Sequence, residues 1–282
     1  MKLFLQMQTK ELPIGVFDSG IGGLTVVRQI RNLLPNEEIF YLGDTARVPY
    51  GTKSRETVIR FACEDAQFLA EKGVKAIVVA CNTASAWSLP ILSQRFGLPI
   101  CGVIQPGAEA ALIASRNKRV GVIGTAATVR SKAYKDALRD RFEKVQVFAQ
   151  ACPLLVPLAE EGWFTHPVTL KVLEEYLMPL VIEQIDTLIL GCTHYPLLKR
   201  AIRDVLKEIS PHPIQLIDSG ESCAVHVRRR LAELDLLSTS SAVGTIHPFV
   251  TDEPSRFCRM SRQFLGFPVQ APELVQLKEF GG

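Results

Sequence analysis

Short apolar runs alternate with segments of helical period from residue 13 to about residue 217, and this alternation restricts the fold more than any other feature of the chain. Runs at 14–17, 38–42, 76–80, 99–103, 120–123, 145–149, 187–190 and 215–217 have the length and content of strands. Between them, 24–33, 55–72, 131–142, 168–182 and 195–209 have the periodicity of helices. Asp, Ser, Thr or Gly stand at many of the boundaries, as caps and turns require. Strands that take turns with helices in this way form parallel sheets covered by helices on both faces. The expected class is α/β.

The alternation also repeats at long range. The run 14–17 leads into Asp18-Ser19-Gly20 and a helix, and the run 120–123 leads into Gly124-Thr125-Ala126-Ala127-Thr128 and a helix. Further along each half, an apolar run stops at a cysteine with a threonine close behind it: Cys81-Asn82-Thr83 in one, Cys192-Thr193-His194 in the other. The repeat predicts two pseudo-symmetric domains, each a mostly parallel sheet flanked by helices, with an active site in the cleft between them. The run 215–217 into Asp218-Ser219-Gly220 echoes the first unit, so the chain is expected to return to its first domain. The division is then 1–104 with 216–282, and 105–215, with Gln105-Pro106-Gly107 as the linker.

Composition bounds the function. The chain is 47% hydrophobic and 22% charged with a net charge of +3, the balance of a globular protein and not of a nucleic-acid binder. Its one dense basic run, Arg228-Arg229-Arg230, lies in a helical stretch and reads as a solvated face. The N-terminal segment lacks the apolar length and cleavage site of a signal peptide, and no run approaches the roughly 20 apolar residues of a membrane span. A cytoplasmic location is the expectation. Seven cysteines without a CxxC pair fit neither a disulfide framework nor a zinc site. They read as free thiols, and most of them as small buried hydrophobes.

Cys81 and Cys192 differ from the rest. Each falls at the carboxyl end of a predicted strand, where ligands bind in open parallel sheets, just before a predicted helix whose N-terminus favours a thiolate. A free thiol is only a few per cent ionised at pH 7, and a modest depression of its pKa brings both protonation states within reach. If two similar halves face one cleft, one thiol removes a proton from a carbon acid while the other returns one to the opposite face, with coupled titrations. A single cysteine ending a strand is ordinarily core filler; the matched pair is what points to chemistry. The glycines of Gly20-Ile21-Gly22-Gly23 lack full dinucleotide spacing, and they read as a close backbone approach to a substrate carboxylate.

The stretches PIGVFDSGIGGLTV, YLGDTARVPYGTKS, VVACNTASA, GVIQPGA, IGVIGTAATVRS, CPLLVPLAEEG, LILGCTHYPLL and FVTDEPSRFCRMSRQFLG resemble the glutamate racemases of the aspartate/glutamate racemase superfamily. The resemblance covers nearly the whole chain. It implies proton exchange by Cys81 with D-glutamate and by Cys192 with L-glutamate. It makes Asp18 and His194 supporting groups, with an acidic helper at Glu160 or its neighbour Glu161. Ser19, Pro49, Tyr50, Gly51, Asn82, Thr83 and Thr193 match substrate-binding positions, as do Asp18 and His194, with Thr128 joining from the second domain. The resemblance further implies no cofactor or metal, a homodimer, and supply of D-glutamate for peptidoglycan synthesis. The first dozen residues carry no assigned role.

Overall fold

The computed structural model describes residues 9–279; the rest of the N-terminal segment lies outside the described residues. Among the described residues ten strands form two sheets. The first half contributes β1 (Ile14–Asp18), β2 (Ile39–Gly43), β3 (Ala76–Val79) and β4 (Ile100–Gly102), and the second contributes β5 (Arg119–Gly124), β6 (Gln146–Ala151), β7 (Thr187–Gly191) and β8 (Gln215–Asp218). Two late strands, β9 (Ile246–Val250) and β10 (Glu273–Leu274), extend the first sheet. The orders are β10-β9-β2-β1-β3-β4 and β6-β5-β7-β8, and every pairing is parallel. The order β2-β1-β3-β4 is therefore repeated as β6-β5-β7-β8, so the long-range repeat of the sequence is a repeat of topology. β3 and β7, the strands that precede Cys81 and Cys192, are equivalent in it.

Helices cover both faces of each sheet. They are α1 (Leu24–Leu33), α2 (Arg55–Glu71), α3 (Asn82–Arg95), α4 (Ile104–Ala114), α5 (Ala126–Ser131), α6 (Ala133–Arg139), α7 (Leu155–Glu160), α8 (Pro167–Ile182), α9 (Lys199–Ile209), α10 (Ser219–Glu233) and α11 (Pro254–Leu265). On one face of the first sheet Leu24, Val26 and Ile30 of α1 pack with Val227 of α10 and Phe257 and Phe264 of α11; on the other lie Val58 and Phe61 of α2 and Leu92 of α3. The second sheet is covered by Leu173 and Leu177 of α8 and Ile202 of α9 on one side, and by Ala108 of α4 and Leu138 of α6 on the other. No helix among the described residues is long and apolar enough to cross a membrane. Arg229 and Arg230 are exposed on α10 and pair with Glu233, the solvated face expected of that run.

The structure departs from the expectation in three places. Gln105-Pro106-Gly107 is not an extended linker but lies in the first turn of α4, the helix that leads from β4 of the first sheet to β5 of the second, where a proline costs no helical hydrogen bond. The return to the first domain expected at residue 216 falls inside β8, which pairs with β7; the chain crosses back after Asp218, whose side chain caps α10 through the N–H groups of Gly220 and Glu221. The helix expected over 131–142 is the shorter α6, and α5 precedes it, the two separated by Lys132 in the left-handed conformation at φ 60°.

Candidate active site

In both sheets the order turns between the first and third strands of the repeat, and the carboxyl ends on either side of that turn form the usual ligand crevice of an open parallel sheet. These ends are Asp18-Ser19 and Cys81 in the first half, and Thr125 and Cys192 in the second. The two crevices face one another across a single cavity of about 170 Å³. The first half lines it with Ser19, Pro49, Tyr50, Gly51, Cys81, Asn82 and Thr83. Facing them are Thr125, Cys192, Thr193 and His194 of the second half. Every residue matched to a substrate-binding position lines this cavity except Asp18, which lies behind Ser19, and Thr128, which stands behind Thr125.

Cys81 occupies the N-cap of α3. Its extended backbone (φ −64°, ψ 120°) ends the strand, and its sulfur accepts the Ala84 N–H at 3.5 Å. The thiol itself donates to Ser19 Oγ at 3.6 Å and is 6% exposed, at the wall of the cavity. The helix N-terminus was expected to depress its pKa; instead burial, reinforced by the Asp18 carboxylate, pushes it up to about 12. Desolvation of a charge in a closed site outweighs a partial dipole. Asp18 is itself fully buried, and burial raises its carboxyl while the facing His194 charge opposes the rise. Gly20 N–H donates to its Oδ2 at 3.0 Å and Thr193 Oγ1 to its Oδ1 at 3.5 Å, so this carboxylate ties the first half to the second.

Cys192 follows β7 and is separated from α9 by the turn Thr193-His194 and a 3-10 segment at Tyr195–Leu198. Its sulfur is 3.9 Å from His194 Nδ1, while His194 Nε2 donates to Glu160 Oε1 at 2.9 Å. Burial alone would discharge this ring. The hydrogen bonds with Cys192 and Glu160 overcome it and push the pKa up to about 10. Glu160, also burdened by burial, is nevertheless lowered by His194. Of the two adjacent acids, Glu160 reaches the histidine, and its other oxygen accepts from Arg256 Nη2 at 2.9 Å.

The two halves are joined through the side chains of the site. Thr25 Oγ1 donates to the Thr193 carbonyl at 2.8 Å, and the Thr83 hydroxyl lies 2.9 Å from that of Thr125 and 3.2 Å from that of Thr128. A Cβ on Gly22 would stand 2.3 Å from Thr193 Oγ1 and 2.5 Å from His194 Cε1. The close approach expected of the Gly20–Gly23 loop thus serves the contact between halves, and these glycines do not line the cavity. The Pro49-Tyr50-Gly51 turn is held from behind. Tyr50's hydroxyl lies between the Asp44 and Asp65 carboxyl groups, and Arg47 pairs with Asp44, Glu64 and Asp65. Burial, with Asp44 beside it, pushes the Asp65 carboxyl well above the usual range.

The matching family is described as Asp/Glu/Hydantoin racemase, over residues 14–227. The chain belongs to this family. A glutamate racemase of Geobacter metallireducens is 50% identical to this racemase over 253 residues, 90% of this chain and 92% of its own. Among solved structures, a glutamate racemase isoform from Bacillus anthracis aligns with a TM-score of 0.90 at 38% identity, covering 95% of this chain and 98% of that one. The glutamate racemase of Francisella tularensis, in complex with D-glutamate, aligns at 0.88 with 39% identity over 96% of this chain and 100% of that one.

Two residues of this racemase escaped the reading of the sequence. Thr125 lines the cavity and caps α5 through the Thr128 N–H at 3.2 Å; a threonine after a strand carries a capping signal, but nothing local marks it as reaching the opposite half. Arg256 lies far along the chain from the Glu160 it holds, and only the fold brings them together. The other cysteines are buried at 63, 101, 152 and 223, and Cys258 is exposed on α11. Among the described residues no three His, Cys, Asp or Glu side chains are grouped to hold a metal ion.

Proposed function

We propose that the chain interconverts L- and D-glutamate by moving the α-proton between Cys81 and Cys192 across one bound substrate, with no cofactor or metal. The observation that carries this reading is that two thiols from equivalent strand ends of opposite halves line one small cavity. The names of the similar proteins supply the substrate, and the close agreement in fold over nearly the full length of each chain supports carrying it across.

In the L-to-D direction Cys192, as thiolate, takes the α-proton of L-glutamate, and the electron pair left on Cα is delocalised into the adjoining carboxylate. The Cys81 thiol then gives its proton to the opposite face. D-Glutamate results, with Cys192 now protonated and Cys81 a thiolate; the reverse reaction restores the first state. A Cys81 pKa pushed up to about 12 suits the donor in this direction. His194, positively charged at neutral pH and 3.9 Å from Cys192 Sγ, supplies the counter-charge for a thiolate there. The hydroxyl and amide groups of Ser19, Asn82, Thr83 and Thr193 are the donors for substrate carboxylates, in a site whose closure strengthens each bond. The reading extends to a homodimer in the bacterial cytoplasm that supplies D-glutamate for peptidoglycan, and to the two sheets as cores of two domains that meet at residues 104 and 218.

The test is incubation with L-glutamate in heavy water, with a chelator and without added pyridoxal phosphate. D-Glutamate carrying deuterium at Cα is the expected product. Aspartate, one methylene shorter, should be at least about tenfold poorer in kcat/KM, the order that one methylene allows. Inversion that retains the original hydrogen, or turnover of aspartate without glutamate, contradicts the proposal.

A further inference from the structure

Asn82 stands next to Cys81 and lines the cavity. An asparagine side chain presents an acceptor at one end and two donors at the other. In Asn82 the acceptor end is taken: Oδ1 receives a 2.7 Å hydrogen bond from the Tyr134 hydroxyl. Its Nδ2 is buried and has no partner among the described residues. A buried amide nitrogen left in that state is unfavourable, so an acceptor brought by a ligand is what completes it.

Tyr134 comes from the other half of the molecule. It lies on α6, buried against the second sheet, and its ring packs where Gly191 leaves room: a Cβ on Gly191 would stand 3.1 Å from Tyr134 Cε2. Gly191 directly precedes Cys192. The tyrosine therefore spans from the loop of one thiol to the loop of the other, with its ring at Gly191 and its hydroxyl on Asn82. Burial pushes its phenol above the ordinary range, so the hydroxyl keeps its proton and remains a donor at physiological pH.

We propose that Tyr134 is a positioning residue for substrate recognition, whose hydroxyl holds the Asn82 amide with its two N–H donors free for a substrate carboxylate. The inference rests on the glutamate reading above and adds the group that orients one of its contacts. Tyr134 touches no reacting atom; it acts through Asn82. A phenylalanine in its place keeps the packing at Gly191 and removes the hydroxyl with its bonds to Asn82 and to Ser219, of which only the first reaches the cavity lining.

The experiment compares the full-length wild type with Tyr134→Phe, Asn82→Ala, Asn82→Asp and the Tyr134→Phe/Asn82→Ala double variant in both directions of glutamate racemisation. Tyr134→Phe should raise KM about tenfold and leave kcat within about twofold, as loss of an oriented bond to a charged group made in the ground state does. In the Asn82→Ala background the same substitution should add nothing, because the group it acts through is gone. Asn82→Asp keeps an acceptor for Tyr134 but offers the ligand no donor, and should raise KM at least as much as Asn82→Ala. A Tyr134→Phe enzyme with wild-type KM, an equal KM rise in the Asn82→Ala background, or an Asn82→Asp enzyme with wild-type KM overturns the assignment. Any of these alongside normal wild-type turnover leaves the glutamate reading intact, whereas a wild type inert toward glutamate removes both.

Discussion

His194 is the residue at which opposing effects are most nearly balanced. Complete burial works against its charge, yet the contacts to Cys192 and Glu160 hold its pKa near 10, above the ordinary 6.5. The sign of the consequence follows. The ring stays cationic through neutral pH, and the stability its protonation contributes is fully present below pH 6.5 and lost as pH rises through about 10. Glu160→Gln removes one of the charges responsible. The alkaline limb of kcat/KM for L-glutamate should then move toward neutral by about one unit or more, since an opposite charge at hydrogen-bonding range contributes on that order. The acid limb should stay in place. A pH–rate profile with an unmoved alkaline limb would mean that His194 charge has no part in the reaction. Glu160 was narrowed by sequence to one of two adjacent acids, because neighbouring positions on a helix are alike in composition and differ only in direction. Its 2.9 Å contact with His194 is a fact of packing between α7 and the loop after β7.

Among the elements, the short helix α5 joins stability to the site. Thr125 caps it, and the same hydroxyl lies 2.9 Å from Thr83 at the start of α3. Thr125→Val keeps the shape and loses these two interactions together with the 3.0 Å contact to the Thr128 hydroxyl. It should destabilise the protein by about 1 kcal/mol, the usual value of an N-cap hydroxyl, seen as a lower urea midpoint with unchanged slope. An unchanged midpoint would show that the cap is replaced by water. The sequence marked this helix poorly. Ala126–Ser131 was passed over in favour of one helix at 131–142, because the periodicity runs on through Lys132 and gives no sign of its left-handed turn. Strands β9 and β10 were missed for a related reason. Pro248 sits within β9 and demotes such a run on local grounds, although the strand pairs along its whole length with β2. By contrast β1 to β8 were legible, since short apolar runs stand out between amphipathic helices, most plainly where both faces are buried as in β1, β3 and β7.

At the scale of the whole molecule, the repeated strand order explains why the thiols were visible in the sequence. Duplication places equivalent residues at equivalent strand ends, so two cysteines followed by small polar residues announce a shared cleft. What duplication does not encode is the contact between the halves. Tyr134 on Asn82, Thr25 on the Thr193 carbonyl and Arg256 on Glu160 join segments distant in sequence, and each depends on how the two sheets face one another. The central claim is that each thiol serves one face of one substrate. Single-enantiomer exchange in heavy water tests it most directly, using Cys81→Ala and Cys192→Ala with folding verified by circular dichroism. Both variants should lose racemisation. Cys81→Ala should still wash deuterium into Cα of L-glutamate but not of D-glutamate, and Cys192→Ala should show the reverse preference. Near-normal racemisation by either variant, or exchange of both enantiomers by one remaining thiol, would contradict the account.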